Sequence, residues 1–205
     1  PSGRLNTLLW ADQDSSVGGW VLLNPGTSIQ TNGGGLWMGG GSGTMSWTPY
    51  AGGSPITVGN GAAISYGPTG DHRYGGINLN GNGGASIMLN AGAGNVYLRG
   101  GNISTVSPYL MGTRLYNTQI TGAEISLIGS ASAGDGTYAN HWGIGLEASS
   151  SITASGAVTL SGTGGGSSAS GGNHHGVFLD NSTISTTSSP ITITGTGGSS
   201  TGVNN

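Results

Sequence analysis

Two pairs of residues in the C-terminal half have types and spacing that suit chemistry. His141 and His174 are 33 residues apart, and so are Glu147 and Asp180. Two imidazoles brought together could share a metal ion. Two carboxylates ~5 Å apart would match the separation a retaining glycosidase uses. Whether either pair forms depends on what repeats every 33 residues.

The interval belongs to a sequence repeat. Gly143-Ile144-Gly145-Leu146 returns as Gly176-Val177-Phe178-Leu179, and Val158-Thr159-Leu160 as Ile191-Thr192-Ile193. Gly162-Thr163-Gly164-Gly165 returns as Gly195-Thr196-Gly197-Gly198 at the same distance. Ile120 to Ile152 spans 32 residues, which extends the period one turn earlier. Short apolar-x-apolar segments at a fixed period, separated by Gly, Ser, Thr and Asn, mark a stacked β-solenoid.

The same grammar runs through the chain. Leu36-Trp37-Met38, Ile56-Thr57-Val58, Ile77-Asn78-Leu79, Ile87-Met88-Leu89, Val96-Tyr97-Leu98 and Ile125-Ser126-Leu127 all fit it. No window carries helical apolar spacing without several glycines inside it. Each long unit holds three strands; in the last these are Val177–Leu179, Thr183-Ile184-Ser185 and Ile191–Ile193. The expected fold is therefore all-β: a right-handed parallel β-helix, roughly triangular in section, with three short strands per coil. Right-handedness follows from the hand of parallel crossovers. At roughly 26–33 residues per turn, residues 1–205 make one solenoid of about six or seven coils, ~30–35 Å long at the ~4.8 Å strand spacing. Residues 1–110 show shorter turns and a Trp-rich start, and 112–205 the regular repeats of about 32–33 residues. Asn follows an inward Leu at positions 6, 24, 80 and 90, where a left-handed turn or an amide ladder is expected.

Composition excludes several function classes. Forty-five glycines without a Gly-X-Y period rule out collagen. Only 5% of residues are charged while apolar triplets keep recurring, which argues for order over disorder. Four Lys and Arg in total and a net charge of −3 argue against nucleic acid. No apolar run approaches a membrane-spanning length, and without Cys there is neither a disulfide nor a Cys-ligated zinc. Thr201-Gly202-Val203 reads as the start of another repeat, so a mature product or a piece of a longer chain is expected.

The run Val21-Leu22-Leu23-Asn24-Pro25-Gly26-Thr27-Ser28-Ile29-Gln30-Thr31-Asn32-Gly33-Gly34, with Leu36-Trp37-Met38-Gly39-Gly40-Gly41 and the closing Ile191-Thr192-Ile193-Thr194-Gly195-Thr196-Gly197-Gly198, resembles the repeat region of filamentous-haemagglutinin-like proteins. The resemblance covers most of the chain. It implies a right-handed β-helix exported to the bacterial cell surface or medium, serving as adhesin, biofilm matrix or stalk.

Stacking the repeat on itself weighs the chemistry. Six residues of strand span ~20 Å, so the histidine pair and the acid pair sit at opposite ends of one strand and cannot act together. They read as loop histidines and solvated corner acids, and Asp135 in Gly134-Asp135-Gly136 stands alone. We therefore expect no catalytic residue, no metal and no cofactor. The file Ser126, Thr159, Thr192 faces outward on successive coils, as solvated strand positions favour.

The middle residue of each triplet should also face outward, yet Leu22, Trp37, Met88, Tyr97 and Phe178 occupy that position. Several outward apolar residues on a nearly uncharged rod imply a covered surface. The cover is a neighbouring copy, a glycan, or a loop of the same chain such as 49–53. These five are the candidate subunit or glycan contacts. The expected function is a structural or adhesive extracellular segment whose partners are copies of itself and surface polysaccharide, with no membrane insertion. A carbohydrate-binding module is the alternative, and a polysaccharide-degrading enzyme comes third.

Overall fold

A computed structural model describes residues 3–14, 18–66, 75–104, 109–133, 140–166 and 173–199. Asp135 lies outside them. The described chain winds through three parallel sheets in the order A, B, C. The first coil is β1 (Thr7–Trp10), β2 (Val21–Leu23) and β3 (Ser28–Gln30). The second begins with β4 (Leu36–Trp47), departs through the antiparallel β5 (Ile56–Gly61), rejoins sheet A with β6 (Ala63–Ser65), which pairs parallel with β9, and continues with β7 (Ile77–Asn80) and β8 (Ile87–Asn90). The third is β9 (Val96–Asn102), β10 (Tyr109–Tyr116) and β11 (Thr118–Gly122). The fourth is β12 (Ile125–Ala131), β13 (Asn140–Glu147) and β14 (Ser151–Ala154). The fifth is β15 (Val158–Thr163), β16 (Val177–Leu179) and β17 (Thr183–Thr186), and β18 (Ile191–Thr196) lies on β15.

The coil is thus a three-stranded β-solenoid, and the three strands expected in the last repeat are β16, β17 and β18. It has about five turns, fewer than the six or seven expected. The discrepancy sits in the second coil. Leu36 pairs with Val96, sixty residues on, whereas the other turns take 29 to 33. The extra length forms an antiparallel ribbon, β4 with β5, which a count of repeats treats as coil. Ile56-Thr57-Val58, read as a coil strand, belongs to it.

Alternation decides what each strand buries. In sheet A, Leu36 and Met38, Val96 and Leu98, Ile125 and Leu127, and Val158 and Leu160 point inward and are at most 1% exposed. Ile77, Leu79 and Leu115 do the same in sheet B, and Ile87, Leu89 and Ile120 in sheet C, giving one continuous core. Where a hydroxyl faces inward it is satisfied: Thr113 Oγ1 donates to the Ile128 carbonyl and accepts from the Gly100 N–H.

One corner explains the repeated glycines. A Cβ at Gly129 would lie 1.9 Å from the Gly143 carbonyl oxygen, and one at Gly162 would lie 1.9 Å from that of Gly176. Sheets A and B touch backbone to backbone there, so any side chain would push them apart.

The turn asparagines divide into two kinds. Asn32, Asn117 and Asn181 adopt positive φ. The Leu-Asn positions do not; there Asn90 Oδ1 accepts from the Gly92 N–H at 2.9 Å and Asn6 Oδ1 from the Gly35 N–H at 2.9 Å. An amide ladder does form elsewhere, from Asn173 Nδ2 to Asn140 Oδ1 at 3.0 Å.

Candidate functional site

His141 is the second residue of β13, and the 33-residue register, with Asn173 on Asn140, puts His174 above it. Their ring centroids are 4.9 Å apart and both residues are fully buried. Both rings are buried; His141 lies within β13, whereas His174 lies in the segment before β16, outside any strand, as a loop histidine would. The His141 N–H donates to the Asn173 carbonyl, and the His141 and His174 carbonyls accept from the Gly165 and Gly198 N–H groups. Among the described residues no three His, Cys, Asp or Glu side chains converge on a point where a metal ion could sit.

Glu147 closes β13, at the opposite end from His141, as the spacing requires. Its carboxylate is not presented to Asp180. Arg114, on the preceding coil, donates from Nε to Glu147 Oε2 at 2.8 Å, and its guanidinium lies 4.6 Å from the Tyr116 ring centroid. Arg114 is buried, its register partner on the next coil being Gly145. Asp180 sits exposed at the following corner, its N–H donating to the Leu146 carbonyl.

The five outward candidates fall on three different faces. Leu22 and Phe178 belong to sheet B, Met88 to sheet C, and Trp37 and Tyr97 to sheet A. Met88 is 45% exposed, while Leu22, Tyr97 and Phe178 are half-buried. The structure brings only Trp37 and Tyr97 together: their rings are parallel within 1°, centroids 6.5 Å apart, and Trp10 meets Trp37 edge-on at 5.9 Å.

Trp37 is a correction to the outward set. It points away from the coil, as alternation requires, yet none of it is exposed. The β4–β5 ribbon accompanies it: Val58 is fully buried, a Cβ at Gly39 would strike the Trp37 ring, and one at Gly59 would strike Trp10. Trp10 Nε1 donates to the Gly41 carbonyl at 3.0 Å. The cover is this chain's own, so Trp37 is unavailable to a subunit or a glycan.

Two outward aromatics escaped the sequence reading. Trp142 stacks on Phe178 at 4.0 Å, and His175 stacks on Phe178 at 5.7 Å. The signal was present in the repeat Asn140-His141-Trp142-Gly143 and Asn173-His174-His175-Gly176. Trp142 lies over Gly145, where a Cβ would come within 3.2 Å of its ring.

Two of the concavities among the described residues carry aromatic side chains. One, of about 440 Å³, lies at the first coil between β1 and β2 and is apolar, lined by Leu8, Leu9, Trp10, Trp20 and Val21 among others. The other, of about 340 Å³, lies on the outer face of sheet A where the β4–β5 ribbon meets the third coil. Trp47 and Tyr97 supply its aromatic lining, Glu124 a carboxylate, and Ser126 and Thr159 hydroxyls. Compared with known protein families, characterised proteins and solved structures, the chain shows no match.

Proposed function

We propose that this chain is a structural and adhesive β-solenoid segment of an extracellular filament on the bacterial cell surface or in its matrix, extended by coil-on-coil stacking. The observation that carries the reading is the state of β18. Ile191 and Ile193 occupy the register of Val158 and Leu160, which are fully buried, yet they are 42% and 46% exposed. Among the described residues no strand pairs with β18 on its free side. A strand edge with unpaired backbone groups and core-type side chains is a template for the next coil.

The other end is complementary in kind. The first coil exposes Leu8 and Trp20 around its apolar concavity. Wherever a β18-type edge meets the first coil of a second copy, the contact is heterologous and does not close, and a fibre results. Covering what remains exposed of each isoleucine contributes roughly half of full burial, about 1 kcal/mol. With 5% charged residues, little electrostatic repulsion opposes the contact. The resemblance of the Gly/Thr-rich repeats to filamentous-haemagglutinin-like proteins supports export and adhesion. No catalytic role is proposed, because Glu147 is engaged by Arg114.

Sedimentation velocity and negative-stain imaging over a concentration series test the reading. Rods that lengthen with concentration, and shorten in an Ile191→Lys/Ile193→Lys variant, are expected. Short single rods at every concentration would overturn it.

A further inference from the structure

We propose that the cleft between the β4–β5 ribbon and sheet A binds a neutral linear polysaccharide, laid along the solenoid axis. The proposal rests on the adhesive half of the reading above and not on the assembly half.

The cleft is built by the excursion from the second coil. After β4 the chain returns to the corner before β9. There the Asn95 N–H donates to the Pro49 carbonyl at 2.7 Å and Asn95 Nδ2 to the Thr48 carbonyl at 3.0 Å. Tyr50 bridges Gly94, and Arg99 Nη1 donates to the Asn60 carbonyl at 2.7 Å. The ribbon is therefore anchored at both sides, and Trp47 is placed beside Tyr97. Asn95 also organises the next coil, its Oδ1 accepting from the Glu124 N–H at 3.1 Å.

The lining combines the groups a sugar needs. Trp47 and Tyr97 offer apolar ring surface for the C–H face of a pyranose. Ser126 and Thr159 both donate and accept, and the exposed Glu124 carboxylate is an acceptor for paired hydroxyls. A volume near 340 Å³ falls within the range of small-ligand sites.

Charge chooses among saccharides. No cationic side chain lines the cleft, and the chain contains no Lys at all. A uronate, sulfate or phosphate group would meet Glu124 with nothing to offset the repulsion, so the ligand is uncharged.

Register sets the direction. Tyr97, Ser126, Thr159 and Thr192 form one file across the coils, stepping ~4.8 Å at a time. That step is close to the length of one hexose in an extended chain. A polymer with one ring on Tyr97 would meet a hydroxyl at each further coil.

Calorimetry and tryptophan emission on the intact chain provide the test. The probes are hexasaccharides of β-1,4-glucose, β-1,3-glucose and β-1,4-mannose, with a galacturonate hexamer as the charged contrast. At least one neutral hexasaccharide should bind and shift the emission, and the galacturonate should not. Thr159→Arg fills the cleft and Glu124→Gln removes the carboxylate; each should weaken binding by about tenfold or more with an unchanged thermal melt. The titrations are repeated on the Ile191→Lys/Ile193→Lys variant, so that loss of assembly and loss of sugar binding are read separately. Absence of binding by all three neutral probes, equal binding of galacturonate, or wild-type affinity in both cleft variants would each overturn the proposal.

Discussion

The His141 and His174 rings stack at a centroid distance of 4.9 Å on successive coils, both fully buried. A spacing that resembled half a metal site is therefore a buried stack joining the fourth and fifth turns. His174→Ala should leave a cavity and cost about 2–4 kcal/mol. His175→Ala, at the half-buried neighbouring position, should cost only about 1 kcal/mol through its stack with Phe178. Denaturant midpoints of the two variants check this; equal losses would contradict the burial assignment.

The Arg114–Glu147 bridge ties the third coil to the fourth with little solvent access. Breaking such a pair leaves a buried charge without its partner, which costs about 3–5 kcal/mol in full burial. Glu147→Gln, with the carboxylate partly exposed, should lose roughly half of that, or about 2 kcal/mol. Asp180→Asn should stay within about 0.5 kcal/mol, as exposed sites do. Chemical denaturation of both variants gives the comparison.

Trp37→Ala removes a large ring from beneath the ribbon and should cost about 3–5 kcal/mol. The emptied space should also loosen the ribbon, so limited proteolysis is expected to cut within residues 39–61 before cutting the coils. A Trp37→Ala variant as stable as the parent would mean that the ring is not covered.

Asp12 supplies a pH dependence. Its carboxyl is raised above the usual carboxylate value, first by desolvation and then by the charge of Asp14. Asp12 Oδ1 is buried with no hydrogen-bond partner among the described residues. The folded state binds this proton more tightly than the unfolded chain. The contribution to stability is thus full below the unfolded value and is lost as pH rises through the folded one. Asp12→Asn should raise the melting temperature at neutral pH, and the gain should vanish below about pH 4. Asn also tolerates the positive φ of 55° at this position. Melting curves from acid to neutral pH would show a constant difference if burial of charge were not the cause.

Much of the coil was legible in the residues. The triplets named the strands, and the 33-residue period named the register between β12, β15 and β18 and between β13 and β16. It also separated the histidines from the acids. The ribbon was not legible, because Ile56-Thr57-Val58 has the same alternation as a coil strand and differs only in pairing antiparallel with β4. The cleft was not legible either, since Trp47 and Tyr97, fifty positions apart, come to line one concavity only when the ribbon has folded.

By itself the sequence determined the local facts: strands of period two, turns at Gly and Asn, a stacked parallel coil, and which side of each strand a residue faces. Those follow from backbone geometry and from burial of alternating side chains. Only the tertiary structure decided what covers an outward side chain. Trp37 and Thr159 stand in one outward file of sheet A, yet the first is sealed and the second is open. The difference is the ribbon, a long-range pairing whose free energy depends on the surface it lands on and not on the triplet that carries the residue.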